Sequence, residues 1–110
     1  MEIVLGDSFM IERIQKNEER LNSSLLSIRK MQEALDEFEK NINNIKLVNH
    51  YYGSDMWFHD REKYDNNVSK IKSGVLSEDA VWNMLDDVNE IIEKMQELIT
   101  KYQKIKDSCK

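Results

Sequence analysis

A seven-residue repeat near the start of the chain limits the possible folds more than any other feature of the sequence. Isoleucine or leucine recurs at every seventh position, and apolar residues, interrupted by Asn17 and Ser24, occupy a second row. The first row is Ile14, Leu21, Ile28, Leu35 and Ile42, and the second includes Met10, Met31, Phe38 and Ile45. Such spacing is typical of a coiled-coil seam. It predicts a helix over residues 7–49, about 60 Å long and capped by Asp7 or Ser8.

A second long helix is predicted near the end of the chain. Ser77 is a suitable N-cap, and Glu78 and Asp79 follow it where acidic groups favour a helix start. Two adjacent apolar rows run along residues 77–106: Val81, Leu85, Val88, Ile92, Met95, Ile99, Tyr102; and Met84, Ile91, Leu98, Ile105. A stripe of this width exceeds the needs of a two-helix contact. We therefore expect this helix to contact the first helix and one further neighbour, either the middle segment or a second copy.

The whole chain, residues 1–110, reads as one all-α domain. It has no proline and three glycines, which favours a few long helices. We expect an antiparallel hairpin of the two long helices, with a turn and short helices over residues 50–76 in a three-helix-bundle-like arrangement. The length of the first helix and the width of the second stripe predict a two-fold homodimer.

Charge and composition exclude several classes of function. The formal net charge is −5 and no region is basic, so we expect no nucleic acid partner. No apolar run is long enough for a membrane span or a signal peptide, and Cys109 is the single cysteine. We therefore expect a cytoplasmic protein without a membrane partner.

Candidates for chemistry are few. His50, Asp55, His59 and Asp60 are metal-ligand types, but they form no compact ligand pair, so we expect no metal. An acidic row on the last helix favours a solvated face or a docking surface for a basic partner; it comprises Asp79, Asp86, Glu90, Glu93 and Glu97. No nucleophile motif or phosphate-binding glycine loop occurs. We expect no cofactor and no enzymatic activity.

The segment "HYYGSDMWFHD", residues 50–60, concentrates aromatic side chains beside a glycine. Gly53 predicts a turn, and Ser54 predicts the cap of a short helix. In one interpretation Trp57 folds inward near Trp82 and Leu85 and closes the hairpin. In another, the tyrosine hydroxyls, His50 and Asp60 form a recognition patch. A mixture of the two is a third possibility.

Two sequence blocks carry a resemblance to a known family. The first comprises Tyr51, Tyr52, Gly53, Ser54, Trp57 and Asp60, and the second is "GVLSEDA", residues 74–80. Together they resemble a family of small bacterial proteins grouped as a domain of unknown function. The resemblance implies a helical fold and a bacterial origin, and it brings no established activity.

The functional prediction is a non-catalytic module that binds another protein through a helical face or the aromatic turn. A small acidic inhibitor or an immunity-type protein is a special case. The alternative is a small enzyme or ligand-binding protein that uses Tyr52, His59 and Asp60.

Overall fold

A computed structural model describes residues 5–64 and 73–109, and in these ranges the chain forms helices and turns without a strand. Helix α1 spans Leu5–Tyr51, α2 spans Asp55–Lys63 and α3 spans Glu78–Ser108. A single 3₁₀ turn, Gly74–Leu76, precedes α3. The all-α prediction is confirmed, whereas the hairpin arrangement and the dimer remain predictions.

Helix α1 begins earlier and ends later than the repeat predicts. It starts at Leu5, so Asp7 lies within the first turn and neither Asp7 nor Ser8 is the N-cap. The polar residues of the seam, Asn17 and Ser24, bond to the helix's own backbone. Asn17 Nδ2 donates to the Arg13 carbonyl at 2.8 Å, and Ser24 Oγ donates to the Arg20 carbonyl at 2.7 Å. These hydrogen bonds satisfy both polar groups without a second helix.

The chain divides into two compact units, residues 1–42 and residues 43–110. The described part of the first unit is α1 alone, and its heptad row of isoleucines and leucines is exposed. These side chains (Ile14, Leu21, Ile28, Leu35, Ile42) are between 42% and 54% exposed. The first unit therefore presents an apolar seam along one helix.

The second unit contains the end of α1, α2, the 3₁₀ turn and α3. Its described core is small, because Trp57 and Val81 are the buried apolar side chains among the described residues. The 3₁₀ turn contacts both α2 and α3. The core of this unit therefore lies at the N-terminal end of α3.

Two serines begin the helices of the second unit where the sequence predicts them. Ser54 is the N-cap of α2 and accepts a hydrogen bond from the Trp57 amide at 3.2 Å. Ser77 is the N-cap of α3 and accepts from the Ala80 amide at 3.4 Å. Both hydroxyls satisfy an amide that a helix start leaves without an intrahelical partner.

Candidate functional site at the corner between α1 and α2

The corner between α1 and α2 is a tight turn of three residues, 52–54. Gly53 adopts φ +76°, a left-handed conformation that glycine adopts without steric cost. Ser54 Oγ donates to the Tyr51 carbonyl at 2.6 Å while it caps α2. Ser54 therefore links the last turn of α1 to the first turn of α2.

Trp57 is the centre of the corner and is only 2% exposed. Its indole Nε1 donates to the Val75 carbonyl at 2.9 Å, which joins α2 to the 3₁₀ turn. Tyr52 and Phe58 meet its ring edge-to-face, with centroids 5.2 and 4.9 Å away. The buried indole thus has both a hydrogen-bond acceptor and aromatic neighbours in favourable geometry.

Arg61 of α2 and Glu78 of α3 form an ion pair that links these two helices. Arg61 Nη1 lies 2.7 Å from Glu78 Oε1, and its guanidinium carbon lies 5.1 Å from the centroid of the Trp57 ring. The Tyr52 hydroxyl donates to the Glu78 carbonyl at 3.3 Å. The start of α3 is therefore held by contacts from two preceding segments of the chain.

Tyr51 and Asp60 form a hydrogen-bonded pair across the corner. The Tyr51 hydroxyl donates to Asp60 Oδ2 at 2.6 Å, and His59 Nδ1 lies 3.2 Å from Asp60 Oδ1. The hydrogen bond from Tyr51, followed by that from His59, lowers the pKa of the Asp60 carboxyl. The same bond to Asp60 raises the pKa of the Tyr51 phenol.

A cavity of about 370 Å³ lies beside this pair. Its lining residues are Tyr51, Asp60, Lys63, Tyr64, Ser73, Val75 and Leu76. This volume falls in the lower part of the range found for small-molecule pockets. The cavity therefore combines a carboxylate and a phenol with an apolar wall.

The six candidate residues from the sequence, Tyr51, Tyr52, Gly53, Ser54, Trp57 and Asp60, all lie at this corner. We name them the turn cluster. Each one has an internal structural contact or a conformational role, as described above. Of the residues in the alternative enzyme hypothesis, Tyr52 directs its hydroxyl to Glu78, whereas His59 contacts Asp60.

Other contacts of the corner carry little or no signal in the sequence. Trp82 is 59% exposed, so it does not form the core around Trp57. Trp57 and Val75, whose carbonyl accepts its hydrogen bond, are 18 residues apart in the sequence, and Arg61 and Glu78 are 17 residues apart. A backbone carbonyl has no residue signature, and a surface ion pair between distant segments has no spacing rule.

No metal-binding cluster occurs among the residues that the structure describes. No three of their His, Cys, Asp or Glu side chains converge in a way that could hold an ion. His50 is exposed near the end of α1.

The fold and the corner define a class of small all-α protein in which a capped turn and one buried tryptophan join two long helices. The chain belongs to the family described as Domain of unknown function (DUF4298), whose model matches residues 14–98. The match spans the whole turn cluster and most of α3, which agrees with the resemblance in the sequence. No curated protein matches the chain.

No helix within residues 5–64 and 73–109 combines the length and the apolar character that crossing a bilayer requires. Charged residues occupy the other faces of these helices, beside the apolar rows.

Proposed function

We propose that this protein is a non-catalytic interaction module that binds proteins through exposed apolar helix faces, while the turn cluster stabilises the fold. The observation that carries the proposal is the apolar stripe of α3. Large apolar side chains in its C-terminal two-thirds are between 40% and 64% exposed: Ile91, Ile92, Leu98, Ile99, Tyr102 and Ile105. Contiguous exposed apolar patches on a protein surface are typical of interaction sites.

The spacing of these residues supports an ordered partner. They recur at helical intervals on adjacent rows of α3, and Met95 lies half-buried among them. A continuous helical stripe matches the face of another helix, which fits its side chains between them as knobs into holes. The partner surface is therefore expected to be helical as well.

The seam of α1 supports the same kind of function by itself. Its heptad residues are exposed on residues 5–42, and Asn17 and Ser24 interrupt them at polar positions. Polar residues in a seam favour one register of the partner over others. An intramolecular antiparallel hairpin with α3 and a two-fold homodimer are two ways of covering these faces.

The residues of the turn cluster support a structural role for the corner. Trp57 is buried, and the polar groups of Tyr51, Tyr52 and Ser54 are engaged with other parts of the chain. A binding hot spot needs groups that a partner can reach. A bacterial cytoplasmic protein, such as a small acidic inhibitor or an immunity-type protein, is consistent with this arrangement.

The test compares one face variant with one corner variant. Ile99→Asp introduces a charge on the exposed stripe, and Asp60→Ala removes the partner of Tyr51. Wild type and both variants, each shown to be helical by circular dichroism, are used for affinity capture from a lysate of the source organism. We expect Ile99→Asp to lose the captured partner and Asp60→Ala to retain it. Loss by Asp60→Ala with retention by Ile99→Asp would contradict the proposal.

A second candidate function is binding of a small molecule in the cavity beside Tyr51 and Asp60. The observation that favours it is the convergence of the Asp60 carboxylate and the apolar Val75 and Leu76 on one cavity. Lys63 lines the same cavity, so its charges and apolar wall suit a small organic molecule that carries both a cationic and an anionic group, such as an amino acid. Thermal-shift screening of amino acids against wild type and Asp60→Asn tests it, and a shift shared by both proteins would reject a role for Asp60.

A further inference from the structure

The charges of α3 are divided between its two halves. Residues 78–93 carry six acidic side chains and no basic ones: Glu78, Asp79, Asp86, Asp87, Glu90 and Glu93. Residues 94–108 carry four lysines, Lys94, Lys101, Lys104 and Lys106, against Glu97 and Asp107. A helix dipole favours such charges only within the first and last turns. The acidic half extends well beyond the first turn, so the dipole does not account for it.

The helix with an acidic N-terminal half and a lysine-rich C-terminal half, α3, also carries the exposed apolar stripe. We propose that α3 pairs antiparallel with α3 of a second copy, so that the acidic half of each faces the basic half of the other. This inference rests on the proposed function and names its partner. Two identical dipolar helices attract each other in the antiparallel orientation and repel each other in the parallel orientation.

The apolar spacing gives the register of this pair. If Val88 lies opposite Leu98 of the second copy, Ile91 lies opposite Met95, and Met84 opposite Tyr102. Each of these layers then contains two apolar residues from the stripe, and each contact occurs twice because the interface has two-fold symmetry. Val81 is buried in its own chain and takes no part in the pair. In this register the apolar layers follow one another along α3 without an insertion or a gap in the spacing.

The register also predicts an ion pair at the edge of the stripe. Asp87 directly precedes the layer residue Val88, and Lys101 directly precedes the layer residue Tyr102. Both side chains therefore lie on the same flank of α3. In the antiparallel pair Asp87 lies beside Lys101 of the second copy, and the two-fold axis repeats the contact. Glu93 lies on the opposite side of the helix from the stripe, so it provides a control position with the same charge.

The orientation is measured with the native cysteine. Cys109 is exposed at the C-cap of α3 and is the single cysteine of the chain, so a spin label attaches there without any substitution. The antiparallel register places each label 16 residues from the two-fold axis at position 93, so the two labels lie about 48 Å apart at 1.5 Å per residue. A parallel pair would bring the labels within about 20 Å of each other, since one superposed register places both helix ends together.

The experiment combines sedimentation with electron–electron distance measurement on the full chain. We expect a species of twice the 13.1 kDa chain mass and a label separation of about 48 Å. Asp87→Lys and Lys101→Asp should each weaken the dimer about tenfold, and the double variant should restore it. Glu93→Lys should leave it unchanged.

Each alternative result has a defined meaning. A monomer at every concentration would overturn the inference, with the stripe covered by α1 of the same chain or by a different protein. A dimer with a short label distance, or one that the double charge exchange fails to restore, would overturn the antiparallel arrangement. Neither result alone decides the proposed function, which the capture experiment with Ile99→Asp tests separately.

Discussion

The corner between α1 and α2 and the stripe of α3 use apolar side chains in opposite ways. At the corner Trp57 is 2% exposed, its Nε1 is hydrogen-bonded, and neighbouring polar groups have partners within the chain. Along the stripe Tyr102 is 64% exposed and Ile99 58%. The comparison indicates that residue type alone does not distinguish a buried apolar group from an exposed one. The contacts around it do.

The largest expected effect is the loss of stability when Trp57 is replaced, and Trp82 provides the matched control. Trp57→Ala removes a buried indole and leaves the Val75 carbonyl without its donor, so it should cost about 3–5 kcal/mol of the free energy of unfolding. Trp82→Ala removes an indole that is 59% exposed and should change that free energy by about 0.5 kcal/mol or less. Urea denaturation followed by circular dichroism measures both. Equal losses would show that the two regions do not differ as described.

Two glycines sharpen the description of the corner. Gly53→Ala should destabilise the fold by about 1 kcal/mol, because the alanine Cβ is disfavoured at φ +76°. Gly74 does not have positive φ, and a Cβ there meets nothing within 4 Å. Gly74→Ala should therefore be neutral or stabilise by about 0.5 kcal/mol, since it restricts the unfolded chain. Gly53→Ala should lower the denaturation midpoint, whereas Gly74→Ala should leave it unchanged or raise it. A midpoint lowered by a similar amount in both variants would contradict the assigned turn geometry.

The smallest expected effect concerns the Tyr51–Asp60 pair and its dependence on pH. Because the folded-state pKa of Asp60 is lowered, its contribution to stability is present above the unfolded pKa and is lost as pH falls through the folded pKa. The raised pKa of Tyr51 works in the other direction, so its contribution is lost as pH rises beyond the ordinary tyrosine pKa near 10.

Tyr51→Phe removes this pair while it keeps the ring. The difference in melting temperature between wild type and Tyr51→Phe should be present near pH 7 and shrink towards pH 3. Tyr102→Phe, at an exposed position of α3, is the control and should show no such dependence. A difference that stays constant across this pH range would argue against the hydrogen bond as its source.

Local signals were the ones that the sequence could predict. Ser54, Ser77 and Gly53 act on amides and dihedral angles within three residues of themselves, so their roles can be predicted from neighbouring residues alone. The all-α class follows from apolar spacing and the absence of proline. The start of α1 at Leu5 was missed because a capping residue type does not by itself fix a helix boundary.

Contacts between distant segments could not be predicted from the sequence. The Trp57–Val75 bond depends on where the 3₁₀ turn places a carbonyl group, and Arg61–Glu78 depends on how α2 and α3 meet. Periodicity likewise shows that the α3 stripe is apolar, but it does not show what covers it. Residues 65–72 of the segment predicted to hold a turn and short helices, 50–76, lie outside the described residues.

The most direct test of the account is the melting temperature of the full chain as a function of its own concentration. Association through the stripe stabilises the folded state by mass action, so the melting temperature of wild type should rise with concentration. It should also rise for Asp60→Asn, which alters the corner, and it should be constant for Leu98→Asp, which places a charge on the stripe. A wild-type melting temperature that is independent of concentration, or a rise that Leu98→Asp retains, would contradict the assignment of the α3 stripe as an interface between copies.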